Sequence, residues 1–294
     1  MVAVTSTRQP GVNPLARSYT QKDMPELPEV ETIANGVHQR VHGQTILSVE
    51  TSNKPQTFKS PSAEIANTLT RARIDRVRRV GKTIVADLTL SSKKTAHFLI
   101  HLGMTGRLLV SDPETPVPPH THAVLTLSGG KELRFVDPRR FGRLSVVGPD
   151  TKYEGPGVEP LTIPLEDFID LFRNRKTPIK AALLNQSLLH GVGNIYADEA
   201  LFHSGIRPLR QAGRLTRAEL TRLRTALQKV LRDAIKLGGS SVSDYVDADG
   251  VAGFFQLHHH VYSRTGQPCR ICKTPIKRVI VGGRSTHFCP ICQK

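Results

Sequence analysis

Cysteine is absent from this 294-residue chain until position 269, and all four cysteines then fall in one short C-terminal stretch. Acidic residues are also scarce: 25 Asp plus Glu stand against 41 Lys plus Arg, a net charge of +16 with pI near 10.1. That imbalance favours a polyanion as partner, which such a surface attracts and meets faster. No apolar run approaches the ~20 residues needed to span a bilayer as a helix. The first 23 residues lack the long apolar segment of a secretory signal. There is no internal repeat. The hydrophobic content of 38% still suffices for real cores, and this length suggests two domains plus a small appendage.

The cysteines read Cys269-x-x-Cys272 and, sixteen residues on, Cys289-x-x-Cys292. Each C-x-x-C knuckle brings two thiolates onto one ion, and two knuckles complete the tetrahedral shell that zinc prefers. Two disulfides are the alternative, but they belong to oxidising compartments, and nothing here reads as secreted. Between the knuckles, Lys277 to Phe288 alternates basic and apolar residues around Gly282-Gly283. It reads as a β-hairpin with Arg284 just past its tip. A zinc-stiffened basic hairpin is suited to gripping nucleic acid.

Residues 1–23 are polar, contain Pro10, Gly11 and Pro14, and are expected to be disordered. A helix is expected after Glu26, with Pro28 in its first turn and Glu29 and Glu31 at its positive end. From Thr45 to Val147 the signal is β. Ile74–Val80, Thr83–Leu90, Ala96–Ile100, Arg107–Val110, Ala123–Leu127, Glu132–Val136 and Arg143–Val147 are short and β-branched or alternating. An antiparallel sandwich or barrel is the natural architecture. A Gly/Pro linker at 155–160 precedes helices at Leu165–Arg173, Ile179–Leu184 and Tyr196–Phe202. A long amphipathic helix capped by Thr216 follows, ended by Gly238-Gly239. Ser240 to Gly253 is Gly- and Asp-rich and is expected to be a mobile loop.

Several residues could carry chemistry. If processing began the chain at Pro25, its secondary amine would sit beside the Glu26 carboxyl, a kit for Schiff-base chemistry; otherwise the segment is a plain helix start. Lys82 follows Gly81 at a hairpin tip, where a solvated charge is the ordinary reading. Met104 lies in His101-Leu102-Gly103-Met104-Thr105-Gly106. It is either core filler or an apolar wedge between bases. Asp137-Pro138-Arg139-Arg140-Phe141-Gly142 offers phosphate grip and stacking, or a turn with a buried Phe. Gly191-Val192-Gly193-Asn194 leads into a helix whose N–H groups could hold a phosphate, with Arg173, Arg175, Lys176 and Lys180 near. His258, His259 and His260, read as alternating along a strand, are a weak metal signal.

Together these motifs resemble the bacterial formamidopyrimidine-DNA glycosylases. The resemblance covers residues 24–294 and rests on five segments in order: Pro25–Thr32, His101–Met104, Asp137–Gly142, Gly191–Ala197 and the four-cysteine ribbon with Arg284. It implies an N-terminal catalytic β-sandwich (24–150), a helix–two-turn–helix DNA-binding domain (151–255) and a zinc-finger hairpin (256–294), after a disordered extension or mis-assigned start (1–23). It implies a bifunctional enzyme that removes oxidised purines from double-stranded DNA and cleaves the strand by β,δ-elimination. Pro25 would be the nucleophile, Glu26 its acid/base partner, and Lys82 and Arg284 proton donors in the two eliminations. Met104, Arg139 and Phe141 would fill the gap left by the flipped base, and His120, Lys176 and Asn194 would join Arg139 and Arg284 in contacting DNA. Cys269, Cys272, Cys289 and Cys292 would hold one structural zinc. The 240–253 loop would cap the lesion. A monomer, cytoplasmic and associated with the nucleoid through DNA, is expected.

Leu27-Pro28 after Glu26, and the full Met104/Arg139/Phe141 set, favour this family over the pyrimidine-repairing endonuclease VIII relatives. One departure stands out. The family's chains begin at the proline after the initiator methionine, whereas here Pro25 is acylated by Met24. An acylated proline is a tertiary amide and forms no Schiff base. Translation from Met24, cleavage of the extension, or a catalytically inactive damaged-DNA-binding protein are the three consequences.

Overall fold

The computed structural model of the chain describes residues 24–240 and 253–294. The 1–23 extension and nearly all of the expected lesion-capping loop lie outside the described residues.

Helix α1 (Leu27–Val41) starts as the sequence predicts, with Pro28 in its first turn. Glu26 N–H donates to the Glu29 carboxylate at 2.9 Å, closing the turn. The face Val30, Ile33, Ala34, Val37 and Val41 is fully buried in the β core, whereas Leu27 belongs to the helical core. One helix therefore joins both halves of the molecule. Strand β1 (Ile46–Thr51) and helix α2 (Ser62–Leu69) follow. Then come β2 (Arg73–Val80), β3 (Thr83–Thr89), β4 (Thr95–His101), β5 (Arg107–Ser111), β6 (Thr121–Leu127), β7 (Glu132–Val136) and β8 (Arg143–Val147).

The strands form two antiparallel four-stranded sheets, ordered β1-β6-β7-β5 and β2-β3-β4-β8, with one core between them. A β-bulge explains an odd pattern in β2. Ile74 and Val77 are three residues apart yet both face inward, because the register shifts between Ile74 and Arg76. Val80, three further on without a bulge, falls on the outer face with Val85 and Leu99. The sequence gives no sign of α2. Ile65 and Leu69 are its only buried residues, too short a pattern to read.

Beyond the linker lie α3 (Leu165–Phe172), α4 (Ile179–Leu183), α5 (Asn194–Ser204) and α6 (Arg217–Lys236). α5 is buried nearly all round, while α6 presents Leu220, Leu223, Leu227, Val230 and Leu231 to it. Thr216 caps α6: its Oγ1 accepts from Glu219 N–H at 3.3 Å, and its own N–H donates to the Glu219 carboxylate at 2.8 Å. Residues 258–260, expected on a strand, are not on one: Phe255–His258 form a 3-10 turn, and 259–260 follow it outside any strand. Phe255 and Tyr262 pack into the helical core there, and that burial wins over local alternation. Strands β9 (Lys277–Val281) and β10 (Arg284–Phe288) make the C-terminal hairpin, turning at Gly282 and Gly283, both at positive φ.

The hairpin is fused to the helices. The Lys180 ammonium, wholly buried, donates to Ser285 C=O at 2.7 Å and pairs with Asp198 at 2.6 Å. The other Asp198 oxygen accepts from His287 N–H at 2.8 Å. Water is excluded from this cluster, so losing one partner would strand a buried charge.

Candidate active site and nucleic-acid interface

A cleft of about 560 Å³ opens where the sandwich, the helices and the hairpin meet. Met24, Glu26, Lys82, His101, Asn194 and Arg284 line it. Residues from opposite ends of the chain are thus gathered by five elements: the α1 N-terminus, the β2–β3 turn, the end of β4, the α5 N-terminus and the hairpin tip. Pro25 is buried between Met24 and Glu26, which both line the cleft.

Glu26 is held by the start of α5. Its carboxylate accepts from Ile195 N–H at 3.1 Å and Tyr196 N–H at 3.4 Å. The positive end of a helix favours that negative charge. The N–H groups expected to hold a phosphate are therefore taken by Glu26, and the sequence reading is corrected on this point. Gly193 makes room: a Cβ there would lie 2.1 Å from the Glu26 carboxyl carbon. Asn194, the first residue of α5, donates to Ser285 Oγ at 3.3 Å, and its buried Oδ1 has no hydrogen-bond partner among the described residues.

Two charges in the cleft are shifted by loss of water. Burial lowers the Lys82 pKa from its ordinary value; Glu26 opposes this, and Arg284 adds to it. A lysine easier to deprotonate is suited to proton transfer. Burial also lowers His101, with Lys82, Arg143 and Lys59 contributing. Beneath the cleft, burial raises the pKa of Glu29, which accepts from Tyr196 O–H at 2.5 Å and Ser240 N–H at 2.7 Å. The sequence marked Glu29 only as a helix-dipole residue. Its tie between α1, α5 and the start of the 240–253 segment had no local signal, because the partners lie 167 and 211 residues away.

Met104, Arg139 and Phe141 come together on the loops after β4 and β7. The Arg139 guanidinium lies 4.6 Å from the Phe141 ring centre, and its Nη1 lies 3.8 Å from Met104 Sδ. Phe141 is 44% exposed, which excludes a buried turn residue. Asp137 braces these loops, accepting from Thr105 O–H at 2.5 Å, Gly142 N–H at 2.7 Å and Arg139 N–H at 3.3 Å. Gly103 lets them touch: it sits at φ +64, and a Cβ would lie 2.6 Å from Gly142 N. His120, exposed at positive φ, is tied to the same brace by Asp137 N–H donating to its carbonyl at 3.0 Å. Lys176 is exposed between α3 and α4.

The four cysteines are free thiols whose sulfurs cluster. Cys269 and Cys292 sulfurs are 3.8 Å apart, and Cys272 and Cys289 sulfurs 3.3 Å apart. A disulfide needs about 2.05 Å. A tetrahedral zinc with bonds of about 2.3 Å spaces its sulfurs at about 3.8 Å. The residues fit zinc, and with four thiolates the shell is closed, so the ion is structural.

A two-sheet sandwich, a helical domain and a zinc ribbon around a cleft with a carboxylate and a pKa-lowered lysine define a class of DNA-processing proteins. Three family domains match in order. The "Formamidopyrimidine-DNA glycosylase N-terminal domain" matches residues 24–144, the "Formamidopyrimidine-DNA glycosylase H2TH domain" 156–246, and the "Zinc finger found in FPG and IleRS" 266–294. The formamidopyrimidine-DNA glycosylase of Solibacter usitatus is 47% identical over 272 residues, covering 92% of this chain and all of that one. That of Herpetosiphon aurantiacus is 42% identical over 276 residues, with 92% and 100% covered. The crystal structure of MutM (FPG) from Thermus thermophilus superposes with TM-score 0.79 at 41% identity, covering 92% of this chain and 98% of that one. A Lactococcus lactis FPG mutant in complex with a Fapy-dG-containing DNA superposes with TM-score 0.83 at 31% identity, covering 92% and 100%. The chain belongs to the formamidopyrimidine-DNA glycosylase family.

Proposed function

We propose that this chain performs base-excision repair: it removes oxidised purines from double-stranded DNA and then cuts the strand at the resulting site. The relatives carry the glycosylase name over their full length, and a solved relative holds Fapy-dG DNA. The observation that carries the reading is the convergence of Glu26, Lys82 and Arg284 on one cleft beside Pro25. Extruding the damaged nucleotide costs a few kcal/mol of unstacking, which the Met104/Arg139/Phe141 cluster offsets by filling the gap. The Pro25 amine, once free, attacks C1′ and displaces the base, with Glu26 exchanging the proton. The C1′–O4′ bond then breaks, with Glu26 supplying the proton to O4′, and the iminium so formed acidifies the C2′ hydrogens. Lys82 and Arg284 then act as the proton donors of β- and δ-elimination. Asn194, Lys176, His120, Arg139 and Arg284 hold the DNA backbone. The working units are 24–150, 151–255 and 256–294. The protein acts as a cytoplasmic monomer on the nucleoid, and no helix among the described residues is long and apolar enough to cross a membrane.

Pro25 needs a free amine, and in the full chain Met24 acylates it. Protein starting at Met24, with that methionine removed, is expected to trap covalently on lesion-containing duplex under borohydride. Full-length chain verified intact by mass is expected to bind the duplex without trapping. Equal trapping by both would transfer the nucleophile's role to another amine, Lys82 first. Binding without trapping by both would leave a damaged-DNA-binding protein with no lyase chemistry.

A further inference from the structure

Glu199 and His203 lie one helical turn apart on α5, so their side chains share a face. His260 meets them from the segment that leads into the ribbon. The three donor atoms all lie within 4.8 Å of one another. We propose that Glu199, His203 and His260 form a second metal site, for a divalent cation of the zinc class, separate from the four-cysteine site.

The donor set is the His/His/carboxylate type that zinc accepts. The His260 Nδ1 to Glu199 Oε2 distance is 3.6 Å, and Nδ1 is buried with no hydrogen-bond partner among the described residues. Too long for a hydrogen bond, that gap is near the spacing of about 3.4 Å that a tetrahedral ion imposes on donors about 2.0–2.1 Å from it. The ion would satisfy the orphaned nitrogen. The carboxylate is already fixed: Glu199 Oε1 accepts from the N–H groups of His260, Val261 and Tyr262 at 3.0, 2.9 and 2.9 Å. Its Oε2 takes one N–H from His260 at 2.9 Å and keeps lone-pair capacity. The His203 and His260 rings meet edge-on, with centres 4.5 Å apart. His203 is exposed, so a turn of its ring can close the remaining distance.

Both histidines line a second cavity of about 740 Å³, which shares no lining residue with the catalytic cleft. The cavity leaves a fourth position open to water. Lys229 stands in the same wall, but its ammonium is paired with Asp233 at 2.6 Å. Bound there, the cation would staple α5 to the strap that carries the ribbon.

Zinc content of the full-length protein, measured by mass spectrometry after equilibrium dialysis against zinc, tests this. Wild type is expected to hold two equivalents. His203→Ala and His260→Ala are each expected to hold one, and His258→Ala two. The intense thiolate–cobalt absorption of the ribbon, read on cobalt-substituted protein, should be the same in every variant, showing that the lost equivalent is not the ribbon's. One equivalent in the wild type would overturn the proposal. So would a loss in His258→Ala equal to that in His203→Ala, because the metal would then be bound by the histidine tract at large.

Discussion

Glu26 is held by two backbone N–H groups of α5, and the absence of a side chain at Gly193 leaves room for it. Met104, Arg139 and Phe141 are held differently: they touch one another above a buried aspartate brace, yet Phe141 stays 44% exposed. Exposure separates function from stability there. Met104→Ala and Phe141→Ala are expected to change folding stability by no more than about 1 kcal/mol. If the side chains fill the hole left by an extruded base, the same changes remove at least ~1.4 kcal/mol from the productive state, a tenfold slower excision. Single-turnover excision on lesion duplex, compared with thermal melting, reads both. Normal excision by both variants and by Arg139→Ala would show that these loops are not wedges.

Among the elements, α6 is the one whose ends are written most plainly. Its capping box satisfies backbone donors that would otherwise lack partners, and Arg210 pairs with Glu219 at 2.5 Å. The hydrogen bond from Arg210, with the Thr216 contacts, holds the Glu219 carboxyl down to about 2, despite partial desolvation. Its folded pKa is thus depressed below that of the unfolded chain. The stabilisation is fully present above the ordinary carboxylate pKa and is lost as pH falls from about 4.5 towards about 2. Glu219→Gln is expected to lose stability at pH 7 and to lose less than wild type on acidification through that window, as chemical denaturation at several pH values would show. Thr216→Ala is expected to cost about 1 kcal/mol. Unchanged acid profiles would mean the box is not formed in solution.

At the scale of the molecule, the parts are knit by a few long-range ties. Arg79 joins Glu31 of α1 at 2.6 Å to Glu159 of the linker at 2.8 Å, and Lys180 joins α4, α5 and β10. Zinc matters through this network, because the hairpin it closes carries Arg284 into the cleft. Stripping the ribbon's metal with a chelator is expected to abolish duplex binding while leaving the sandwich folded, since that core contains no ribbon residue. Hydrogen exchange would localise the loss to 266–294 and to the helices packed against it. Duplex binding retained at less than half an equivalent of zinc would show that the ribbon does not depend on its ion.

What the sequence determined by itself was whatever a short window encodes. The four-cysteine spacing, the Thr216 cap, Pro28 at the start of α1, the Gly282-Gly283 turn and seven of the eight sandwich strands are local patterns, and the structure has them where the residues predict. The first strand was legible only as the start of a β region, and α2, with two buried residues, was not legible at all. The seating of Glu26 on α5, the burial of Glu29 and the Asp198–His287 tie join residues 89 to 211 positions apart. No window holds such pairs, and they exist only once two cores have brought the chain segments together. The same is true of Lys82. A hairpin-tip lysine reads as a solvated charge, and only the tertiary fold, by closing water away from it beside Glu26 and Arg284, lowers its pKa and places it in the cleft.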